Sequence, residues 1–457
     1  MSVRATAMIN IFKLWFGFRA RVGRRAYALS GISLMALKYC VDAAVIFTLT
    51  GRTWGPLHYL SPFWTHRLME GTVEASDLWV LGLWAVPFVW IGASMTARRA
   101  LDAGLSAAWA LLFFVPLVNY FLMLILCFAR PEESEPYPDT LDEEGFRLNQ
   151  QSGVAILVPA LLGLALLSLT LKFSNGTYAF GLFLGGPFAI GFAAAFLYDR
   201  TAKHSFKASI LIVQTSIAVL GGLFLLAGLE GLICLAMAYP LAGAIALLGG
   251  LLGQQMAQRR RLAGTHFAAL LLLVPGISLL DIYLPSAPEH EVVTSIEIEA
   301  PPQEVWQHLV SFSELPEPGG LFFRLGIAYP RRARIEGHGI GAVRYCEFST
   351  GPFVEPITSW EEPLRLSFDV IEQPPTMQER SPYKITPPHV TGSFHSRRGA
   401  FRLVPLDGGR TRLEGSTWYD LDLYPQFYWS IWSDWLLHGI HRQVLEHIKR
   451  QTEFSSL

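Results

Sequence analysis

The sequence predicts a polytopic α-helical membrane protein of about eight apolar segments, followed by an α+β soluble domain. Hydrophobic residues make up 51% of the 457 residues and charged residues only 16%, whereas ordinary globular domains carry about a quarter of charged residues. Eight apolar runs each approach the roughly 20 residues that a helix needs to cross a bilayer. After Pro285 the composition changes to alternating apolar and polar residues, which is typical of strands.

Residues 1–130 form an N-terminal membrane module with three apolar runs, at 26–50, about 78–97 and 107–128. Lys38 and Asp42 stand four residues apart in the first run. Charged groups inside a membrane segment cost about 2.5–3.5 kcal/mol each on insertion scales, so we expect these two side chains to pair or to face a polar interior. A neutralising ion pair and a proton or ion path both remain open.

Residues 131–151 are acidic and proline-rich, which predicts a solvated linker. The second membrane module, residues 152–285, has five apolar runs, at about 152–171, 177–198, 208–229, 231–252 and 265–284. Small residues recur at four-residue spacing in Gly181 with Gly185 and in Gly249 with Gly253. This spacing lets helices approach closely, although plain lipid-facing helices would have the same composition.

Residues 286–457 form the predicted soluble domain. Its strand-like runs are VTSIEIEA, GAVRYCEFST, LRLSFDVIE, GAFRLVPL and TRLEGSTWY. The chain ends in a predicted helix at about 426–452, whose apolar stripe recurs every four residues at Trp432, Leu436, Ile440, Val444 and Ile448.

The N-terminal module resembles a known family through two runs, FGFRARVGRRAY (Phe16 to Tyr27) and RRALDAGLSAAW (Arg98 to Trp109). Both are similar to the small bacterial inner-membrane family called domain of unknown function 805. In that family the second run more often reads Arg-Arg-Leu-His-Asp-x-Gly, whereas Ala100 and Leu101 replace the Leu-His pair here. The resemblance covers about residues 10–130. It implies a location in the bacterial inner membrane and no activity.

The soluble domain resembles the START-like helix-grip superfamily, also called SRPBCC or polyketide cyclase-like. The opening strand, the APPQEVWQHLVSF helix, the antiparallel strands and the long final helix occur in that family's order. The runs FRLGIAYP, GAVRYCEFSTGPFVEPITSWEEP and RTRLEGSTWY look like a membrane-attached bacterial branch. The resemblance implies a curved sheet gripping a long helix, with a cavity between them for lipids or polyketide-like molecules.

We therefore predict a membrane-anchored protein that binds a lipid or other small apolar ligand between the sheet and the C-terminal helix. The predicted ligand-binding residues are Trp306, Arg344, Glu347, Phe348, Phe368, Trp418 and Trp432. Large apolar side chains with a few polar groups suit such a pocket, but the rings could equally fill a core. Arg344, Glu347 and Glu355 could point inward or lie on exposed strand faces. Two alternatives stay open: a transporter or membrane scaffold with a sensor domain, and a cyclase- or hydrolase-like enzyme using the same pocket.

Catalytic and metal signals are weak in this sequence. It contains no Ser-His-Asp order, G-x-S-x-G elbow, Walker loop or H-E-x-x-H run, so we name no catalytic residue and favour a protein that is not an enzyme. His438 and His441 could share a helix face with Asp434, but surface histidines are the default, so we expect no metal site. We expect no cofactor either.

The expected partners are membrane lipids and the small apolar ligand. A net charge of −1 and the lack of a recognition module argue against nucleic acid. The oligomeric state is left open by the sequence.

The side of the membrane that holds the soluble domain depends on how many runs cross it. The basic N-terminus predicts a cytoplasmic start. If all eight runs span, the soluble domain is cytoplasmic, but the basic loops at 198–207 and 257–261 lie outside. If 107–128, which contains Pro116 and Asn119, is re-entrant, those loops return to the cytoplasm and residues 286–457 are extracytoplasmic. The positive charge favours the second arrangement.

Overall fold

The computed structural model describes residues 11–18, 21–51, 53, 55, 75–105, 107–114, 118–131, 150–173, 178–258, 281, 288–310, 314–379, 385, 387 and 389–455. The chain forms two compact units. The first comprises Met1–Thr170 and Leu184–Ile277, and the second comprises Leu171–Phe183 and Ser278–Leu457. The predicted boundaries at 130/131, 151/152 and 285/286 stay a prediction, since residues 132–149 and 282–287 lie outside the described residues.

The helices of the first unit match the predicted apolar runs. They are α1 (Arg24–Thr50), α2 (Ala75–Asp102), a 3₁₀ helix (Ala107–Phe114), α3 (Val118–Phe128), α4 (Gln150–Phe173), α5 (Gly186–Asp199, preceded by the π-helical turn Gly181–Gly185), α6 (Phe206–Ala227) and α7 (Leu232–Gln258). Within the described part of the chain, five helical segments are long and apolar enough to cross a membrane, in α1, α4, the π turn with α5, α6 and α7. The predicted run 265–284 lies outside the described residues except for Asp281.

Glycines bring α5 and α7 into backbone contact. A methyl group at Gly249 would stand 2.0 Å from the carbonyl oxygen of Phe188, and one at Gly253 would stand 2.3 Å from that of Phe192. Only glycine permits such an approach, and small residues at this spacing are what close helix packing in membranes requires. The close approach predicted for Gly249 and Gly253 is therefore present, whereas Gly181 and Gly185 lie in the π-helical turn.

The soluble domain is built on one antiparallel sheet of seven strands. The strands are β1 (His290–Ile298), β2 (Pro330–Glu336), β3 (Val343–Phe348), β4 (Gly351–Glu361), β5 (Arg365–Asp369), β6 (Phe394–Leu406) and β7 (Arg410–Leu421), in the spatial order β1-β7-β6-β5-β4-β3-β2. The predicted runs account for β1, β3, β5, β6 and β7. The strands β2 and β4 fall outside them, because prolines and arginines obscure their alternation.

Among the described residues, four helices accompany the sheet, namely α8 (Pro302–Val310), α9 (Leu321–Leu325), α10 (His389–Gly392) and α11 (Gln426–Ser455). The long α11 packs on β1 and β7, and its second half supplies Val444, Leu445 and Ile448 to the core. A sheet closed on one face by a long C-terminal helix is the predicted α+β helix-grip architecture, which is confirmed.

Candidate functional site

The candidate site lies on the face of the sheet that α11 covers, which we call the inner face. Because side chains alternate along a strand, Arg344 and Cys346 of β3 share this face with Glu355 of β4. The pairing of Ile357 with Phe368 and of Phe401 with Gly415 continues the same face across β5, β6 and β7. The inner face therefore combines aromatic rings with a small number of polar groups.

A buried ion pair occupies the β3–β4 side of the inner face. Arg344 is 3% exposed and donates a hydrogen bond to the carboxylate of Glu355. Its guanidinium carbon lies 4.9 Å from the ring centre of Phe368 and 5.6 Å from that of Phe401, within the range of cation–π attraction. Burial raises the pKa of Glu355, and the positive charge of Arg344 opposes that effect. The pair leaves this part of the inner face without net charge.

A hydrogen-bonded chain of two histidines and two threonines joins α11 to the sheet. The hydroxyl of Thr294 on β1 lies 2.8 Å from Nδ1 of His438 and 3.0 Å from Nδ1 of His441. The other ring nitrogen of His441, Nε2, lies 2.7 Å from the hydroxyl of Thr417 on β7. His441 is thus held at both nitrogens, between the edge strand and its neighbour.

The protonation of this chain follows from its geometry. Burial, and secondarily the charge of His438, lowers the pKa of His441 to about 4, so its imidazole is neutral near pH 7. A hydroxyl has one proton to donate, so Thr294 donates to one Nδ1 and accepts from the other. The tautomer of His441 decides whether Thr417 accepts or donates. This hydrogen-bonded chain can therefore present either a donor or an acceptor to a bound molecule.

A tyrosine and an aspartate make the next contact between helix and sheet. The hydroxyl of Tyr419 donates a hydrogen bond of 2.6 Å to Oδ1 of Asp434, and its ring stacks between His290 and Phe394 at 5.2 and 4.9 Å. Burial and the nearby carboxylate of Asp434 raise the pKa of Tyr419. Asp434, which the sequence placed near His438 and His441 as a weak candidate metal ligand, is therefore hydrogen-bonded to Tyr419.

The first half of α11 borders accessible surface, whereas the second half is packed. Thr417 and His441 are only partly buried although they lie between helix and sheet. Phe348 and Phe353 also remain partly buried at the far end of the inner face, with ring centres 4.7 Å apart. By contrast, Ile448 is completely buried. The contacts of α11 with the buried core of the sheet therefore come from its second half, after residue 441.

Five of the seven predicted ligand-binding residues lie on the inner face or on the helices beside it. Arg344, Phe348 and Phe368 lie on the inner face itself. Trp306 lies on α8 in the buried core, 5.7 Å from Trp360 between ring centres. Trp432 lies on α11 and contacts Phe322 of α9 at 5.7 Å. Binding by these five residues stays a prediction.

Glu347 and Trp418 lie on the opposite face of the sheet, away from the inner face that their predicted role in ligand binding would require. Glu347 accepts a hydrogen bond of 2.7 Å from Arg332, and the ring of Trp418 lies 4.8 Å from the guanidinium of Arg398. Each is one residue away from an inner-face position, and neighbouring side chains of a strand point to opposite faces. The sequence left the faces of both Glu347 and Glu355 open, and the strand register places Glu347 outside and Glu355 inside.

Sequence analysis missed Thr294 and Thr417, because threonine is a common strand residue with no chemical signature. The i, i+3 spacing of His438 and His441 was the available signal, since it predicts a shared helix face. This spacing could not show which strand residues face that side of the helix. The pairing of β1 with β7 supplies this, with Thr294 and Thr417 placed under the same turn of α11.

The buried charged residues of the membrane unit include an ion pair in α1 and an arginine near the end of α2. Lys38 pairs with Asp42 at 2.5 Å, as predicted. Arg99, which is fully buried, donates to the carbonyl of Leu126 at 2.9 Å, to the carbonyl of Ala129 at 2.5 Å and to Asp102 at 2.6 Å. Its donors therefore cap the last turn of α3, so Arg99 has a structural role that a topology signal alone would not require.

Two family models match the chain, one near each end. Residues 15–137 match a family described as a protein of unknown function, DUF805. Residues 289–451 match the family described as polyketide cyclase/dehydrase and lipid transport. Both predicted resemblances are confirmed. The protein thus joins an apolar helical region to a domain whose fold suggests ligand binding.

Solved structures similar to the C-terminal part include a norcoclaurine synthase point mutant of Thalictrum flavum. It covers 38% of this chain and 100% of its own, at 12% identity and a TM-score of 0.26. The ZhuI aromatase/cyclase of Streptomyces sp. R1128 covers 36% of this chain and 94% of its own, at 14% identity and a TM-score of 0.25. No curated protein matches the chain.

Proposed function

We propose that this protein is a membrane-anchored binder of an uncharged, largely apolar molecule, held between the inner face and the first half of α11. The observation that carries the proposal is the combination of aromatic rings, neutral charge and one partly accessible hydrogen-bonding chain on that face. Pockets for small molecules are mostly apolar with a few placed polar groups. The family match at residues 289–451 supports ligand binding by this domain.

The charge of the inner face favours an uncharged ligand. Arg344 is already paired with Glu355, and the lowered pKa of His441, about 4, keeps its imidazole neutral. A carboxylate or phosphate head group entering this space would lose its water without gaining an unpaired cation, which costs several kcal/mol. A hydroxyl or carbonyl group can instead bond to the hydroxyl of Thr417, which has hydrogen-bonding capacity beyond its contact with His441. A neutral lipid or a polyketide-like molecule meets these requirements.

The structure gives less support to an enzyme. An efficient general base has a pKa near the working pH, and that of His441 is about 4. Tyr419 and Asp434 satisfy each other. An enzyme in the same pocket, and a transporter or scaffold with a sensor domain, remain the alternatives to binding.

The binding proposal is tested by identifying what the full chain retains. The chain is purified in lipid nanodiscs, extracted with organic solvent and examined by mass spectrometry. We expect a neutral apolar compound in the parent protein. A lost hydrogen bond of about 1–1.5 kcal/mol corresponds to roughly a tenfold weaker association, so Thr417→Val should retain markedly less.

The matched control is Ser416→Ala, because Ser416 neighbours Thr417 but lies on the outer face. It should retain as much compound as the parent. An anionic lipid retained in the parent, or equal retention by Thr417→Val and Ser416→Ala, would contradict the proposal.

We further propose that the C-terminal domain is extracytoplasmic. In the first unit, the N-terminal run, the start of α4 and the end of α5 lie close together. The Nε2 amide of Gln151, at the start of α4, donates to the carbonyl of Tyr198, at the end of α5. A methyl group at Gly153 would touch the ring of Phe18, which places the N-terminal run there too.

The basic loops of the second module belong to this same side. The contacts of α5 with α7 pair Phe188 with Gly249 and Phe192 with Gly253, so both residue numbers rise together and the two helices are parallel. The basic loops at 200–207 and 259–261 follow their C-terminal ends. Short loops rich in lysine and arginine are retained in the cytoplasm. The basic N-terminal run at 16–27 is on the same side.

The 3₁₀ helix and α3 then form a re-entrant hairpin. After α2 ends, the 3₁₀ helix runs back along α2. The evidence is that a methyl group added at Gly92 of α2 would lie 2.2 Å from the ring of Phe113. The chain then returns, because Arg99 near the end of α2 contacts the carbonyls of Leu126 and Ala129. Neither piece, of 8 and 11 residues, is long enough to span. This is the arrangement that the charge pattern favoured.

With this hairpin, α1 leads out of the cytoplasm, α2 returns, and α4 to α7 cross alternately to end inside. The sequence predicts that the last apolar run, 265–284, crosses once more and leads out of the cytoplasm. A reporter that is active in only one compartment, fused to Leu457, tests the proposal. An extracytoplasmic signal is expected, with a fusion at Gln258, the end of α7, as the cytoplasmic control. A cytoplasmic signal at Leu457 would restore eight full spans.

A further inference from the structure

One face of α11 changes from apolar to charged along its length. Phe427, Ile431 and Trp435 recur every four residues and are 73%, 64% and 53% exposed. The same face continues with exposed residues of a different kind, His438, Arg442 and Glu446. Large exposed apolar residues on one end of a helix mark a contact with another apolar phase. The charged end of the same face has the composition of a surface in water.

Helix α9 extends this apolar surface. Leu321 is 67% exposed, and the ring of the next residue, Phe322, lies 5.4 Å from Trp435 and 5.7 Å from Trp432. We call the exposed residues Leu321, Phe427, Ile431 and Trp435 the α11 patch. Tryptophan, phenylalanine and leucine in such a patch are typical of segments that enter the boundary between lipid head groups and acyl chains.

The start of α11 is held next to the chain that enters a membrane helix. The ring of Phe183 lies 4.8 Å from that of Trp429, and Phe183 precedes α5 by only three residues. The backbone N–H of Tyr424 donates to the carbonyl of Tyr178 at 3.0 Å, and Phe180 contacts Tyr424 at 5.8 Å. The segment 178–183 is part of the soluble unit by its contacts. Since Leu184 continues this segment into the first unit, the start of α11 packs on residues that lie next in sequence to an apolar helix long enough to span a membrane.

We propose that the α11 patch inserts into the interface of the bilayer in which the protein is anchored. Burial of four large apolar side chains in lipid is favourable because it removes their surface from water, and the charged residues from Arg442 onward then remain in water. The patch ends a single turn before His438, so insertion brings the proposed ligand site on the inner face beside the acyl chains, a step that rests on the proposed function. A ligand dissolved in the leaflet could enter without crossing water.

Photo-crosslinking tests this proposal with the full chain. The photoreactive amino acid benzoylphenylalanine replaces Ile431 in one variant and Phe427 in another, in nanodiscs of phosphatidylcholine and phosphatidylglycerol. The matched control is Phe454, which is 74% exposed on the last turns of the same helix. We expect lipid adducts at 431 and 427, detected by mass spectrometry, on the order of tenfold more abundant than at 454.

Two results would overturn the proposal. Equal lipid adducts at 431 and 454 would show that the patch is no nearer to the bilayer than the far end of the helix. Adducts to a second copy of the chain would assign the patch to a protein interface. A variant with Ile431→Glu supplies a second measurement, since a carboxylate resists transfer into lipid. It should reduce adducts at 427 severalfold. Loss of retained ligand would be scored separately, so the binding proposal can fail without this one.

Discussion

Two buried arginines, one in each unit, are neutralised in different ways. Arg99 in the membrane unit directs two donors to backbone carbonyls and one to Asp102. Arg344 in the soluble domain pairs with the side chain of Glu355 between two aromatic rings. In lipid, each backbone carbonyl left at the end of a short helix needs a partner, and the five donors of an arginine can supply several at once. In the soluble domain the same side chain serves to balance one buried carboxylate.

The comparison shows that one residue type can be an architectural element in one region and a means of charge control in the other. Arg99 holds the end of α3 against α2, and therefore holds the hairpin on which the proposed topology depends. Arg344 with Glu355 keeps the inner face neutral, which the proposed ligand class depends on. Variants that remove each partner separately can distinguish these two roles.

The largest effect is expected for Arg99→Leu. The carbonyls of Leu126 and Ala129 would lose their partner and Asp102 its cation, at a cost of several kcal/mol in an apolar surrounding. We expect little folded protein, measured as the monodisperse fraction in detergent by size-exclusion chromatography. Arg130→Leu is the control, because Arg130 is exposed nearby, and it should behave as the parent. A normal yield of Arg99→Leu would show that the hairpin does not need this cap.

A second variant set addresses the Arg344–Glu355 pair. Removing one partner of a buried ion pair costs about 3–5 kcal/mol, while replacing both with apolar residues of similar volume is often nearly neutral. We therefore expect Glu355→Leu to shift the urea unfolding transition of the soluble domain strongly, and Arg344→Met with Glu355→Leu to restore most of the shift. The transition is followed on the full chain in nanodiscs. Additive effects in the double variant would mean that the two charges do not balance one another.

Glycine substitutions compare packing in the two units. In Gly249→Ala the new methyl group meets the backbone carbonyl of Phe188, whereas in Gly399→Ala it meets the ring of Phe368. A ring can shift more easily than a backbone, so Gly249→Ala should cost about 1–3 kcal/mol and Gly399→Ala less. Gly221→Ala is the control, since nothing lies within 4 Å of its added methyl group. Thermal unfolding in nanodiscs ranks the three, and a larger loss for Gly399→Ala would reverse the comparison.

The last comparison is a pH dependence of stability that His441 gives to the soluble domain. The folded-state pKa of His441 is about 4, below an ordinary value of about 6.5. Between these values the unfolded chain binds more protons than the folded one, so stability falls as the pH is lowered through that range. Thermal unfolding of the parent and of His441→Gln, from about pH 7 to pH 4.5, should show a shallower decline in the variant. Parallel curves would mean that another group carries the dependence.

The sequence by itself determined the class of each region. Apolar runs of membrane length can only be satisfied as helices in lipid, and alternation followed by the four-residue stripe of Trp432 to Ile448 is enough to predict a sheet closed by a helix. The ion pair of Lys38 with Asp42 also follows from local spacing, because residues four apart on a helix are neighbours. These properties depend on residues that are close in the chain.

Only the tertiary structure decided what depends on residues distant in the chain. Whether Glu347 or Glu355 faces inward is a matter of strand register, and a shift of one residue exchanges the two faces. Thr294 and His441 are separated by 147 positions, and no local pattern in either segment reports the other. The contacts of Phe113 with Gly92 and of Arg99 with Leu126, on which the proposed hairpin rests, became visible for the same reason. Composition and periodicity specify how much of a segment is buried, whereas the partner that buries it is specified by the packing of the whole chain.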